Sequence, residues 1–409
     1  MIFPEFTELF ASVFAIWKPI ISSAEYWAPV VFGLIFINIW LRYVRTKWIS
    51  NIKWVMLEVK LPKEIFKSPL AMEVVLNALY QTPSGQWFDH IFKGRVKNWF
   101  SLEIVSIEGN VHFFIRTNKI YKDIIEAQIY GQYPTAEVYE VDDYTRYVDY
   151  KGKEGEWSLW GLEYGLSKED AYPIKTYVDY GLDKESVKEE YKTDPITSVL
   201  EFLGSIGKDE QIWIQILVQA TGKRFVTPGK FFKKRDWKAK GEELIEDIIK
   251  KARSRSGGAE NAPVILTKVE ENQISAIERS ISKLGFDCGI RGVYLSKGEA
   301  FNVSNIFSLI GAFRQYSSNE LNGFTVSHPT SFNFPWQDFK EIRVTKLKKK
   351  IFDAYKRRSY FYLPYKKKPF VLNTEELATV YHFPGGVAET PTFGRIPSKK
   401  VEPPANLPS

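Results

Sequence analysis

Cysteine, histidine and methionine are scarce in this 409-residue sequence, at one, four and three residues. The lone Cys288 excludes an internal disulfide framework and a cysteine-rich metal site, and it suits a reducing cytosol. Beside apolar neighbours, it reads as a small core residue rather than a nucleophile. His90, His112, His328 and His382 lie far apart, with neither i,i+4 ligand spacing nor an H-E-x-x-H setting. Ordinary surface or core roles are expected of them. A phosphate-cradling loop is also missing. Such a loop needs G-x-x-x-x-G-K-[ST], whose glycines expose backbone N–H groups and whose hydroxyl holds magnesium. Around Gly222-Lys223, Leu217 and Arg224 occupy two of the required positions; around Gly207-Lys208, Phe202 and Asp209 do. Asp142-Asp143 sits in an evident turn, where a chance pair looks like a catalytic one. The sequence therefore points to no catalytic residue, cofactor or metal, and a non-enzymatic role is expected.

Acidic residues are scarce in one region. Residues 340–369 hold twelve Lys/Arg and two acidic residues, a net of +10, against +7 for the whole chain and hence −3 for the rest. Hydrophobic residues make up 44% and charged residues 26%, which marks the chain after its N-terminal stretch as globular.

What is present begins with Tyr26–Val44, apolar except for Asn38 and Arg42. A bilayer-spanning helix needs about 20 mostly apolar residues, and this stretch meets that length narrowly. Tyr26, Trp27, Trp40, Tyr43 and Trp48 flank it as interfacial aromatics. Arg42, Arg45, Lys47 and Lys53 follow without an acid, while Glu5, Glu8 and Glu25 outnumber Lys18 before it. Positive charge stays on the cytoplasmic side, so the expected arrangement is a single-pass protein of the inner (cytoplasmic) membrane. Its N-terminus would lie outside and its bulk in the cytoplasm; a buried core helix is the rival. Residues 1–24 carry Phe6, Leu9, Phe10, Val13, Phe14 and Trp17 on one helical face, an amphipathic interfacial helix. A cleaved signal peptide competes there, but the basic n-region is missing and Lys18-Pro19 breaks the apolar run.

The fold class expected is α+β. After the transmembrane helix at 25–48, residues 49–150 read as a ferredoxin-like βαββαβ module. Its strands are Trp54–Lys60, Phe100–Ile107, Val111–Arg116 and Ala136–Val141; its helices are Pro69–Leu79 and Asn118–Tyr130. Gly109-Asn110 supplies the hairpin turn. Residues 151–330 read as a second α/β module. It has strands at Trp157–Leu166, Ile174–Asp179, Gln211–Val218 and Gly289–Leu295. Asp194 caps a helix begun by Pro195. A helix through Ile274, Ile277, Ile281 and Leu284 ends at Gly285, and another covers Val303–Phe313. Lys184–Lys192 and the basic stretch Gly222–Lys240 are insertions. This module has the look of a degenerate second copy, with its strand order left open. Residues 331–370 form a basic-aromatic segment, and 371–409 a Pro-rich C-terminal linker.

That segment is the sharpest candidate site. Lys346, Lys348, Lys349, Lys350, Lys356, Arg357, Arg358, Lys366, Lys367 and Lys368 alternate with aromatics that include Tyr362. Basic side chains displace counterions from a phosphate backbone, and rings stack exposed bases. Anionic lipid headgroups suit the same charges. A buried aromatic face with solvated lysines accounts for the pattern equally well.

Two strings carry a resemblance: GIRGVYLSKGEAFNVSNIFSLIGAFRQYSSNELNGF at Gly289–Phe324, and VLNTEELATVYHFPGGVAETPTFGRIPSKKVEPPANLP at Val371–Pro408. With the Tyr80–Tyr144 region, they resemble the N-terminal membrane-anchored part of conjugation-type, HerA/coupling-protein-like ATPases. Those ATPases serve type IV secretion-like systems of small-genome bacteria. In that family a P-loop domain follows a Pro-rich linker like Glu389–Ser409, and this sequence stops where it would begin. No position matches the ATPase residues, so none are carried over. The resemblance implies a P-loop ATPase partner in cis or trans, a homo-oligomeric ring, and a role in DNA or protein transfer.

Overall fold

The computed structural model describes residues 22–61, 67–81, 85–184, 193–223, 225–227, 230–255, 264–332, 334, 336 and 338–384. Most of the expected helix at 1–24, most of the Lys184–Lys192 insertion and the Pro-rich tail from 385 onward lie outside these residues. The chain forms two compact units, 1–52 with 83–96, and 53–82 with 97–409.

In the first unit, α1 runs from Ala24 to Ser50, with Pro29 inside it, where the ring removes the N–H that would otherwise bond the Glu25 carbonyl. It is long and apolar enough to cross a membrane. Val44 is its one buried residue. Trp40 donates its indole N–H to the Ile91 carbonyl at 3.0 Å, which ties α1 to the short helix Trp87–Ile91.

The second unit is built on one nine-stranded antiparallel sheet. Its first half contains β1 (Trp54–Lys60), α2 (Leu70–Leu79), β2 (Phe100–Ile107), β3 (Asn110–Asn118), α3 (Lys122–Gln132) and β4 (Glu137–Val141). The strands lie in the order β4-β1-β3-β2. Each strand–helix–strand crossover leaves a gap that one strand of the other crossover fills, which is the split βαβ arrangement expected. The hairpin turn is Glu108-Gly109, one residue earlier than expected, because Ile107 pairs with Asn110. Both turn residues have positive φ, at 52° and 83°, as a two-residue turn matched to strand twist requires.

The second half repeats this plan. It contains β5 (Trp157–Leu166), α4 (Pro195–Gly204), β6 (Glu210–Ala220), β7 (Phe225–Thr227), β8 (Lys230–Arg235), α5 (Trp237–Arg255), α6 (Lys268–Ser282), β9 (Gly285–Lys297), α7 (Val303–Gly311) and β10 (Phe324–Val326). The order β10-β5-β9-β6 matches β4-β1-β3-β2 strand for strand. β7 and β8 form a separate hairpin, and with α5 and α6 they are inserted between the second and third strands of the repeat. β6 pairs with β2 along eight residues, so the boundary near residue 150 separates two repeats within one sheet. Asp194 does cap α4, its carboxylate accepting from Ile196 N at 3.1 Å, and it also meets His382 at 3.1 Å.

Three further expectations are corrected. Ile174–Asp179 is a turn region, not a strand. Side chains take the place of ladder partners there: Ile174 N donates to Glu376 and Tyr177 N to Thr379. Gly285 opens β9 instead of capping a helix; a Cβ there would lie 2.4 Å from the Trp237 indole nitrogen. Residues 371–384 are no linker. β11 (Phe370–Asn373) pairs with the first half of β9, and α9 (Thr374–Val380) is buried along its whole length.

Strand side chains alternate between faces. One face carries Leu57, Leu102, Ile104, Phe113, Ile214, Ile216 and Ile290 in a core shared with residues of α2, α3, α4, α7 and α9. The other carries Met56, Phe114, Trp213, Val293 and Leu295, packed with Ile351, Phe352 and Tyr355 of α8 (Ile342–Lys356).

Candidate functional site

The face beneath α8 contains more than apolar side chains. One cross-strand row runs Glu163, Arg291, Gln215, Glu103, Phe114, Glu58 across β5, β9, β6, β2, β3 and β1. Buried polar groups are costly unless hydrogen-bonded, and α8 supplies the partners. Arg291 donates to the Ala354 and Ser359 carbonyls at 2.9 and 2.7 Å. Gln215 donates to the Tyr355 carbonyl at 3.2 Å. These carbonyls belong to the last turn of α8 and just past it, where the dipole favours cations; the Ala354 carbonyl also accepts from Ser359 N and that of Tyr355 from Arg358 N, each at 3.0 Å.

Arg358 completes this junction. Its φ of 51° turns the chain out of α8, and its side chain is 0% exposed. The guanidinium donates to both Glu103 oxygens, at 3.0 and 3.1 Å, and to both Asp143 oxygens. Tyr144 adds a 2.8 Å hydroxyl bond to Glu103 and another, at 2.7 Å, to Tyr355. Burial pushes the Glu103 carboxyl up. The Arg358 charge and the bonds from Arg358, Ser101 and Tyr144 outweigh burial and hold it below its ordinary value. Asp143 is held low in the same way, by Arg358 and Thr145 against burial.

At the sheet-edge end of the row, Glu163 meets Lys367 at 3.0 Å, His328 at 3.6 Å and the Arg291 Nε at 3.7 Å. Two clefts share this carboxylate. One of about 540 Å³ is lined by Lys168, Lys240, Tyr360, Lys367 and Lys368. The other, about 270 Å³, is lined by Thr330, Leu347, Lys350, Ala354 and Tyr365. β9 passes close under Tyr360, and Gly289 is the residue that permits it: a Cβ there would lie 2.4 Å from the ring.

The eleven basic and aromatic candidates separate into three environments. Arg358 lies in the core and is removed from the candidate surface, because both its faces of charge are spent on Glu103 and Asp143. Tyr362 packs its ring on Trp99 at 5.5 Å and accepts from Lys97 N, and is not a free stacking platform. Lys356 reaches the Val148 carbonyl at 3.3 Å and lies over Phe352. Lys348 is half-buried, and desolvation lowers its pKa. Lys346, Lys349, Lys350 and Arg357 are exposed on one side of α8, joined by Arg343. Lys366 and Lys368 are exposed beyond the helix, and Lys367 is half-buried against Glu163. Sequence reasoning missed Glu163, Glu103, Gln215 and Arg291. Their signal was a single charged or amide residue in mid-strand among apolar neighbours, which only a buried partner makes tolerable.

Among the described residues no group of three or more His, Cys, Asp and Glu side chains is placed to hold a metal ion. His112 meets Glu58 at 2.7 Å, and Cys288 is buried. Residues 50–394 match the family model described as a domain of unknown function, DUF8128. The chain belongs to the DUF8128 family. The match covers both structural repeats, α8 and α9, and begins at the end of α1. No curated protein matches the sequence of this family member.

Proposed function

We propose that the protein is a non-enzymatic, membrane-anchored module of a conjugation or type IV secretion-like DNA-transfer assembly. In this reading α1 holds it in the inner membrane with its bulk in the cytoplasm, and it assembles as a homo-oligomer with a P-loop ATPase. The resemblance at Gly289–Phe324 and Val371–Pro408 supports the ATPase partner. The observation that carries a DNA contact is the solvent side of α8. Arg343, Lys346, Lys349, Lys350 and Arg357 lie there within about 22 Å of helix. Asp353, on the same side, is already engaged by Arg357 and Tyr365 at 2.8 and 2.6 Å. Such a stripe suits a phosphate backbone and reads no base sequence. Because α1 is apolar enough to span a bilayer, anionic lipid is the competing ligand for the same stripe.

The test uses the full chain in detergent micelles, titrated with fluorescent single- and double-stranded DNA over a range of salt. Affinity should fall steeply with salt, and the combined change Lys346→Gln, Lys349→Gln, Lys350→Gln should reduce the logarithmic salt slope by about 3 on double-stranded DNA. No binding at low salt, or a slope the variant leaves unchanged, removes DNA from the reading. Loss of flotation with anionic vesicles in that variant, without DNA competition, assigns the stripe to lipid.

A further inference from the structure

The loop between α2 and β2 carries GQWFDHIFKGRV, residues 85–96, and belongs to the same compact unit as α1. It is built to be rigid. Gln86 and Asp89 close a capping box around the short helix, and His90 Nδ1 meets the Arg95 carbonyl at 2.8 Å. Lys93 pairs with Asp89 at 2.7 Å. The loop sits flush on α1. Gly94 has φ 67°, and a Cβ there would lie 2.3 Å from the Val44 backbone; Trp40 holds the Ile91 carbonyl. Yet this ordered knuckle presents its apolar side chains outward. Trp87 is 69% exposed and Phe92 49%, with Phe88 and Ile91 beside them, and Phe88 and Phe92 stack at 4.5 Å.

An outward aromatic knuckle needs a cover, and its position against α1 says which. Tyr26–Val44 measures about 28 Å along the helix, close to the thickness of a hydrocarbon core. The contact at Trp40 and Val44 therefore falls at the basic end of that span, at the level where aromatic rings favour the membrane interface. Arg42, Arg45 and Lys47 on α1, with Arg95 on the loop, give that level a positive character suited to anionic headgroups, while Lys93 is paired with Asp89. We infer that Trp87–Phe92 is a second membrane contact, a monotopic insertion into the headgroup region of the bilayer that α1 crosses. It rests on α1 being a span, and it fixes the rotation of α1 about its own axis, which a single helix alone does not.

The test places a fluorophore on single cysteines in the full chain, reconstituted in vesicles of phosphatidylcholine and phosphatidylglycerol. Native Cys288 is buried, so labelling is directed to the new site. The sites are Trp87→Cys and Phe92→Cys on the knuckle, Phe36→Cys on α1 and Lys151→Cys as an exposed reference. Labels at 87 and 92 should lose emission to lipids carrying a nitroxide near the headgroup and resist aqueous iodide. The label at 36 should lose emission to deep acyl nitroxides, and that at 151 to iodide. If 36 responds to lipid quenchers while 87 and 92 behave like 151, the knuckle contact is overturned and the span stands. If 36 ignores lipid quenchers, the span itself fails. Protection of 87 and 92 from both quenchers overturns the lipid assignment and points to a protein cover.

Discussion

On one face of the sheet, Leu57, Leu102, Ile216 and Ile290 meet helices through apolar contact. On the other, Arg291, Gln215 and Glu103 meet the end of one helix through hydrogen bonds to its carbonyls and to the Arg358 guanidinium that follows it. Apolar contact is non-directional, and several helix placements satisfy it about equally. The polar row has few solutions, because each buried group must find its partner. The row thus fixes where α8 ends and, through the helix, which basic residues face water. The same stretch of lysines and arginines supplies both a buried clamp, Arg358, and an exposed stripe, Lys346, Lys349 and Lys350.

The largest effect that would break this comparison is expected from Arg358→Met. Removing one partner strands Glu103 and Asp143, and the loss should be about 3–5 kcal/mol by denaturant unfolding. On the apolar face, Ile216→Ala should cost about 2–5 kcal/mol through lost transfer energy and a cavity. pH separates the two mechanisms. In the native chain Glu103 and Asp143 titrate below their ordinary values of 4.5 and 3.8. Their stabilisation is therefore present above those values and lost as pH falls through the depressed ones. In Arg358→Met the charge that offsets burial is gone, so the carboxyls rise and the sign reverses: stability falls as pH climbs through the raised values. Ile216→Ala should lower stability by the same amount across that window. A parallel pH profile for both variants would contradict the paired-charge account. The smallest effect on folding is expected from the Lys346, Lys349, Lys350 to Gln triple, whose stability should stay within about 0.5 kcal/mol of the native chain while its salt-dependent binding changes.

Much of the first repeat was legible, because strands such as Phe100–Ile107 are long and bounded by clear turn and cap residues. The second repeat was only half legible. Its first crossover is interrupted by the loop through Ile174–Asp179, whose apolar residues imitate a strand while Glu376 and Thr379 bond its backbone. The hairpin β7–β8 and helices α5 and α6 separate its second and third strands in sequence, so no local pattern gives the order. Residues 371–384 were misread because β11 is four residues long and only its pairing with β9 marks it. At the candidate site, the exposed lysines were visible as a charge run, but burial of Arg358 was not. Its partners Glu103 and Asp143 lie 255 and 215 residues away.

α1 of the DUF8128 chain is long and apolar enough to cross a membrane, and the proposed function depends on its doing so. Membranes from cells expressing the full chain, stripped at alkaline pH and recovered by ultracentrifugation, test it directly. The protein should remain in the pellet and enter solution only with detergent. Its release by the alkaline wash would contradict a spanning helix.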